Sequence, residues 1–395
     1  MKQIAFVTWL LLAAALCQGQ TVKIIFAGDL MGHMPQHNAA LQPDGSYDYT
    51  PCFRYVKDYL RSADLAIVNL EVPLDGKPYS GYPQFSAPYA LAEAAKEAGF
   101  DIMTTANNHC MDRGAHGLRR TLVVLDNLGI ISLGTYRDRE QRDAREPMIY
   151  SVNGIPITLL TYTYGTNGIP VPEPNIVNFI DTAVMARDLQ LARERGAEYV
   201  ITLIHWGVEY AVKANAEQEQ TARWLLEHGC DAVIGGHPHV VQNFTLDAIP
   251  DNDRYPEVVV YSMGNLVSNQ RDVNTDGGIM IELTLTQNPK TKNITQQWEY
   301  LPYWVYRGTI NGLYQYYIVP SADASEHPER YQIEGNDLKA LRTFDSNTRQ
   351  RLEACTLADG ENIAERHYSP FAPKVIGNST IPLLGNKFLR KKISH

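Results

Sequence analysis

Two histidines, His237 and His239, flank a proline in the stretch "VIGGHPHVVQ", directly after an apolar run that ends in two glycines. Imidazoles two residues apart reach one small volume if the backbone bends tightly, and Gly235-Gly236 supplies freedom to bend. Neutral imidazole is a common metal ligand and also a common surface group, so the pair alone leaves a ligand site and a surface turn both open.

Other chemistry-bearing residues stand where other apolar runs stop. Asp29 in "AGDLMGHM" is a turn cap or a ligand, with His33 four residues on as a candidate ligand or supporting group. Glu71 in "VNLEVPL" leaves an apolar run, where an unpaired carboxylate is strongly penalised and a nearby cation would resolve the cost. In "TANNHCMDRG", Asn107, Asn108, His109 and Asp112 form either a helix N-cap network or a site in which Asp112 orients His109 as a general acid. His205 in "LIHWGVEY" is a core histidine or a ligand. In "YSMGNLVSNQRD", Asn265 and Gln270 suit a substrate rather than a metal, and Arg271 meets an anion or is solvated. Asp, Glu, Asn, His and His-x-His from successive run ends make a ligand set for two adjacent divalent cations, mixing hard oxygens with imidazoles. Such ions typically lie ~3.5–4 Å apart across a shared carboxylate, a role that suits Glu71.

The elements that must position these groups are readable as punctuation. The runs "VKIIFAGD", "ADLAIVNLE", "DIMTTANNH", "EYVITLIHWG", "DAVIGGHPH" and "PEVVVYSMGN" predict buried strands. Between them, "PYALAEAAKEAG", the face carrying Leu118, Leu122, Leu125 and Leu128, and "EQEQTARWLLEHG" predict helices that stop at Gly99, Gly129 and Gly229. Strands alternating with helices predict an α/β domain, and in open α/β sheets ligands gather at the strands' carboxyl ends. A further helix is expected around "DLKALRTFDSNTRQRLEA".

With 44% hydrophobic and 20% charged residues in 395, the composition is that of a globular protein with a sizeable core. Residues 1–19, with the run "IAFVTWLLLAAAL", predict a signal peptide and an exported chain starting near Gln20. Its removal takes the formal charge from −9 to −10, because Lys2 is the only charge lost. Lipidation at Cys17 is the alternative, although Leu16 stands where such signals carry a small residue. The remaining cysteines, Cys52, Cys110, Cys230 and Cys355, lack C-x-x-C spacing and are expected as separate thiols. The acidic balance and the lack of a basic stripe exclude nucleic acid as the expected partner.

The ordered blocks "GDLM", "NLEVPL", "TANNHCMDRG", "IHWGVEY", "GGHPHVVQ" and "YSMGNLV" resemble those of the bacterial CapA family of capsule-synthesis proteins associated with poly-γ-glutamate. That family is similar to the calcineurin-like metallophosphoesterases. The likeness spans roughly residues 21–310. It implies a four-layer α/β/β/α sandwich over residues 20–310; beyond it, the weaker periodicity and the closing "KFLRKKISH" predict a C-terminal extension, 311–395, with a flexible basic tail. It further implies two divalent ions of the Mn, Fe or Zn class: Asp29 and His239 on one, Asn108, His205 and His237 on the other, Glu71 shared, and His109 protonating a leaving group. The chain departs from the metallophosphoesterase pattern twice, with Glu71 in place of Asp and Met31 where a histidine is usual. The expected role is in capsule or poly-γ-glutamate-type synthesis in the periplasm or cell envelope, beside capsule machinery at the membrane. The expected partner is an anionic polymer or a phosphoester. A metal-dependent hydrolase unrelated to capsule and a non-catalytic polymer binder are the alternatives.

Overall fold

Both faces of the strand Gln20–Leu30 are covered by other elements, which is why its sequence is an almost unbroken apolar run. Val22, Ile24 and Phe26 point to one side, while Ile25 and Ala27 point to the other. A computed structural model describes residues 19–247, 257–353 and 363–372. In it this strand runs near the middle of a nine-stranded mixed sheet, parallel to Leu65–Leu70 on one side and antiparallel to Gly277–Gln287 on the other. The strands Ile102–Thr104 and Ile131–Leu133 extend the parallel half. A second, six-stranded sheet has Glu257–Val260, Ala232–Gly236, Tyr199–His205 and Ile155–Thr163 in parallel at its centre, with antiparallel strands at both edges.

The two sheets face each other across an apolar layer. Val22, Ile24, Phe26 and Ile281 of the first meet Ile157, Leu159, Ile201, Leu203 and Ile234 of the second. Each such fully buried aliphatic side chain contributes roughly 1.5–3 kcal/mol relative to exposure. Helices cover the outer faces. Ala90–Ala98 packs Leu91, Ala95 and Ala98 behind the first sheet, and Thr182–Glu194 and Ala216–Glu227 pack Met185, Leu189, Leu225 and Leu226 behind the second. The helix Gly114–Asn127 turns Leu118 and Leu122 into a smaller cluster with Met111.

All six predicted runs are strands and all four predicted helical stretches are helices. The expected boundary near residue 310 needs correction. It falls in the turn of a hairpin, because Ile294–Ile310 pairs antiparallel with Leu313–Pro320 from Tyr303↔Pro320 to Ile310↔Leu313. The helix Gly335–Glu353 then packs Leu341 and Phe344 against Trp304, Tyr306 and Val319, so this segment completes the first sheet. The segment lacks a long aliphatic run because its continuously buried stretch, residues 315–320, opens with Gln315, Tyr316 and Tyr317 and leaves only Ile318 and Val319 as aliphatic residues. Cys52, Cys110 and Cys230 are free and buried. The signal segment with Cys17, Cys355 and the basic tail lie outside the described residues. No described helix is long and apolar enough to cross a membrane.

Candidate metal centre

The parallel strands of both sheets end on the same side, and the residues singled out by type meet there. On the first sheet, Ala27 pairs with Val68 but Asp29 with Asn69, so Gly28 is an extra residue in the ladder. A bulge of this kind re-aims the side chain that follows it. A Cβ at Gly28 would lie 1.9 Å from the Gly264 carbonyl oxygen, so only glycine permits the approach. On the second sheet His205 is the last residue of its strand and pairs with Gly236.

Gly235 and Gly236 belong to the strand Ala232–Gly236, and their role differs from the bend expected of them. A Cβ at Gly236 would stand 2.9 Å from Asp29 Oδ1, so this glycine makes room for the carboxylate. The turn is made by the histidines themselves, His237 with φ 97° and His239 with φ 58°. Non-glycine residues held in this region typically cost about 1–3 kcal/mol and persist where the surroundings determine them.

Asp29 Oδ1 accepts from the Asn69 amide at 2.8 Å, and Asn69 Oδ1 accepts from Asn107 at 3.0 Å. Asp29 Oδ2 accepts the His237 backbone N–H at 3.2 Å and lies 3.3 Å from His239 Nδ1. Glu71 Oε1 lies 3.5 Å from His205 Nε2 and 3.8 Å from His239 Nε2. Asn108 Oδ1 accepts from His205 Nε2 at 2.9 Å. All of these side chains except Asn69 are buried.

Neither Glu71 oxygen has a hydrogen-bond partner, and neither does His237 Nδ1. A buried carboxylate with no donors is costly as it stands, and a cation is the partner that would satisfy it. Ligand atoms of Glu71, His205 and His237 lie within 4.8 Å of one another, as do those of Asp29, Glu71 and His239. The donor set therefore fits divalent cations, with Glu71 common to both groups.

Burial pushes the His205 imidazole down to about 3 and His237 to about 2, so both rings are neutral at neutral pH, the form that ligates a metal. For His239, burial is outweighed by the charges of Glu71 and Asp29, which hold it up to about 9. Burial also opposes the Asp29 carboxylate, but the His239 hydrogen bond, the His205 and His239 charges and the Asn69 amide hold its pKa well below the usual range. Burial, reinforced by the Asp29 charge, raises Glu71 well above the usual glutamate value. A bound cation would favour the deprotonated form of all five groups, reversing the direction at Glu71 and His239 and reinforcing it at Asp29, His205 and His237.

Beside the cluster, His109 Nδ1 donates to Asp112 Oδ2 at 2.8 Å, and the same oxygen accepts the Phe85 backbone N–H at 2.8 Å. Phe85 meets the His109 ring edge-on at 4.7 Å. Burial lowers the His109 pKa, but the Asp112 hydrogen bond and the Glu71 and Asp112 charges outweigh it and raise the value. Fixing Nδ1 on Asp112 leaves Nε2 as the nitrogen that can exchange a proton with a ligand.

The expected substrate-facing residues divide. Asn265 is completely buried, with its amide engaged by protein at both ends: Oδ1 accepts from His239 Nδ1 at 3.0 Å, and Nδ2 donates to Gln270 Oε1 at 2.7 Å and Thr275 O at 2.9 Å. It orients His239 rather than facing a ligand. Gln270 donates to Tyr210 Oη at 3.2 Å. Arg271 donates to the Val305 carbonyl at 2.8 Å and lies over the Tyr316 ring at 5.5 Å, while Nε and Nη2 remain without partners. Met31 is buried, and His33 stands outside the ligand groups, its Nδ1 3.1 Å from Gln36 Oε1.

Two residues escaped the sequence reading. Tyr164 packs on His237 at 4.6 Å and stacks over His205 at 6.3 Å. It follows the strand Ile155–Thr163, whose run "IPITLLTYTYG" ends in polar residues as the other six do. Glu209 brings a carboxylate oxygen within 4.8 Å of ring nitrogens of His237 and His239. Its only sequence signal is its place four residues after His205.

The profile described as "Bacterial capsule synthesis protein PGA_cap" matches residues 23–270, more than half of the chain. The chain is 28% identical over 283 residues to the capsule biosynthesis protein CapA of Bacillus anthracis, covering 69% of this chain and 66% of that one. It is 29% identical over 255 residues to the PGA biosynthesis protein CapA of Bacillus subtilis (strain 168), covering 60% of this chain and 61% of that one. The chain thus spans just under two thirds of these relatives' lengths. Among solved structures, the Haemophilus influenzae NAD nucleotidase NadN aligns with a TM-score of 0.47 at 14% identity, over 86% of this chain and 64% of that one. From the match over residues 23–270, the chain belongs to the bacterial capsule synthesis protein PGA_cap family.

Proposed function

We propose that this protein acts outside the cytoplasm, at the cell envelope, in the synthesis or export of poly-γ-glutamate or a similar anionic polymer, through a dinuclear phosphoesterase-like metal site. Family membership supports the capsule role. The observation that carries the site is Glu71, which has two buried, partnerless oxygens and belongs to two overlapping groups of residues able to hold a metal ion. Asp29, Glu71 and His239 would hold one ion, and Glu71, His205 and His237 the other, with Asn108 beside His205. When bound, such ions supply Lewis-acid activation of a phosphoryl or acyl centre and of water.

The chain's own residues set the rest of the chemistry. Asn107 and Asn69 relay hydrogen bonds that hold Asp29 in place. Asn265 fixes the His239 ring, which favours ligation through its other nitrogen. Asp112 holds His109 with its proton-bearing Nδ1 turned away, so that Nε2 can protonate a departing oxygen or nitrogen. The partnerless N–H groups of Arg271 are suited to an anionic part of a substrate. Cations at the site would offset the formal charge of −10 of the exported chain, which would otherwise repel a polyanion.

The test is elemental analysis of purified protein beside a His237→Ala/His239→Ala variant, with chelator-sensitive assays on generic phosphoesters and binding of poly-γ-glutamate. Near two metals per chain, lost in the variant together with turnover, supports the reading. Metal-dependent polymer binding without turnover would retain the capsule role and refute catalysis, and metal-free protein would refute the site.

A further inference from the structure

Resting on the metal site proposed above, we propose that Glu209 is a further, solvent-facing metal ligand that closes the outer side of the His237–His239 pair and is displaced by an anionic group of the substrate. One of its carboxylate oxygens and one ring nitrogen from each histidine lie within 4.8 Å of one another. The five carboxylate and imidazole ligands Asp29, Glu71, His205, His237 and His239 are buried, whereas Glu209 is exposed.

Its position is built rather than incidental. Tyr210, the next residue, adopts φ 66°, and its N–H donates to the carbonyl of Pro238, between the two histidines, at 2.8 Å. The Tyr210 hydroxyl accepts from Gln270 at 3.2 Å, and Gln270 in turn accepts from Asn265, which holds His239. The loop carrying Glu209 is thus clipped at two points to the turn carrying the ligands. A surface glutamate with no role needs neither the left-handed backbone nor the clips.

Exposure decides what kind of ligand Glu209 is. The buried groups are fixed by packing and by hydrogen bonds from Asn69, Asn108 and Asn265. An exposed carboxylate keeps water as an alternative partner, so it leaves the ion at low cost when a phosphate or carboxylate arrives. It also adds negative charge opposite two imidazoles, which raises affinity for a hard divalent cation when no substrate is present.

Titration of metal-stripped full-length protein with Zn2+ by calorimetry, and with Co2+ followed by its visible absorption, tests this without an activity assay. Glu209→Gln is expected to weaken one equivalent of metal by about tenfold or more and to change the Co2+ spectrum. The other equivalent is expected to stay unchanged, and Glu209→Asp to recover part of the loss. Glu217→Gln, exposed on the helix Ala216–Glu227, serves as the neutral control. Wild-type protein that binds metal together with a Glu209→Gln variant of the same affinity and spectrum overturns this proposal alone. Wild-type protein that takes up no metal overturns both it and the site on which it rests.

Discussion

Replacing Glu71 by methionine separates its cost as a buried group from its value as a ligand. Both Glu71 oxygens are buried and partnerless, and a buried unsatisfied polar group costs roughly 1–3 kcal/mol. The imidazoles nearest to it keep other partners when it is removed: His205 has Asn108 at 2.9 Å, and His239 has Asn265 at 3.0 Å. Methionine is close in volume and adds no polar atom, and replacing buried charged groups by apolar ones of similar size is often stabilising. In chelator, Glu71→Met is therefore expected to melt above wild type by roughly 2–6 °C, at about 2 °C per kcal/mol. Added metal at a hundred times its dissociation constant should stabilise wild type by about 2.7 kcal/mol, or roughly 5 °C on the same scale. The variant lacks the ligand common to both groups and should gain little, so the gap closes or reverses. Thermal unfolding by circular dichroism, with and without chelator, reads both terms. Wild type melting above Glu71→Met in chelator, or equal gains with metal, would refute the reasoning.

His109→Gln should lower turnover of a hydrolysed substrate by about 10²–10⁴-fold while leaving metal content unchanged by elemental analysis, since His109 is outside the ligand groups. Gly236→Ala should lose metal while the chain still folds, because its methyl group meets the Asp29 carboxylate, whereas Gly28→Ala, which meets backbone, should fail to give soluble protein. Away from the centre, Glu146 accepts the hydroxyl of Tyr136 and the backbone N–H of Thr161, and burial raises it from the ordinary 4.5 to about 7. Because the folded state holds this proton more tightly, the contribution is complete below pH 4.5 and is lost as pH rises through about 7. The loss amounts to about 3 kcal/mol. Urea unfolding at pH 5 and pH 8 should show this difference in wild type and lack it in Glu146→Gln, and parallel pH profiles would count against the assignment.

The parallel halves of both sheets were legible because strands covered on both faces are continuous apolar runs closed by polar residues, as in "VKIIFAGD" and "EYVITLIHWG". The hairpin Ile294–Ile310 and Leu313–Pro320 was not, since its buried stretches are rich in tyrosine and broken by proline and glutamine rather than aliphatic throughout, and part of its cover comes from the helix Gly335–Glu353, distant in sequence. The roles of glycines were misread for a related reason. "GGHPH" suggests a flexible bend, but the reason for Gly236 is a carboxylate more than 200 positions away, at Asp29, and no local pattern records that approach.

The sequence by itself determined the types of the candidate ligands, their order along the chain and the rule that each follows an apolar strand, because these depend on local patterning. Tertiary structure alone decided that the candidate ligands come from two facing sheets, that Glu71 belongs to two groups of potential ligand atoms, and that Asn265 engages His239. It alone brought Glu209 beside the paired histidines. Those outcomes depend on strand register, a bulge at Gly28 and the left-handed turn at His237 and His239. Each is set by which segments pack against one another, and residue type and spacing do not specify that.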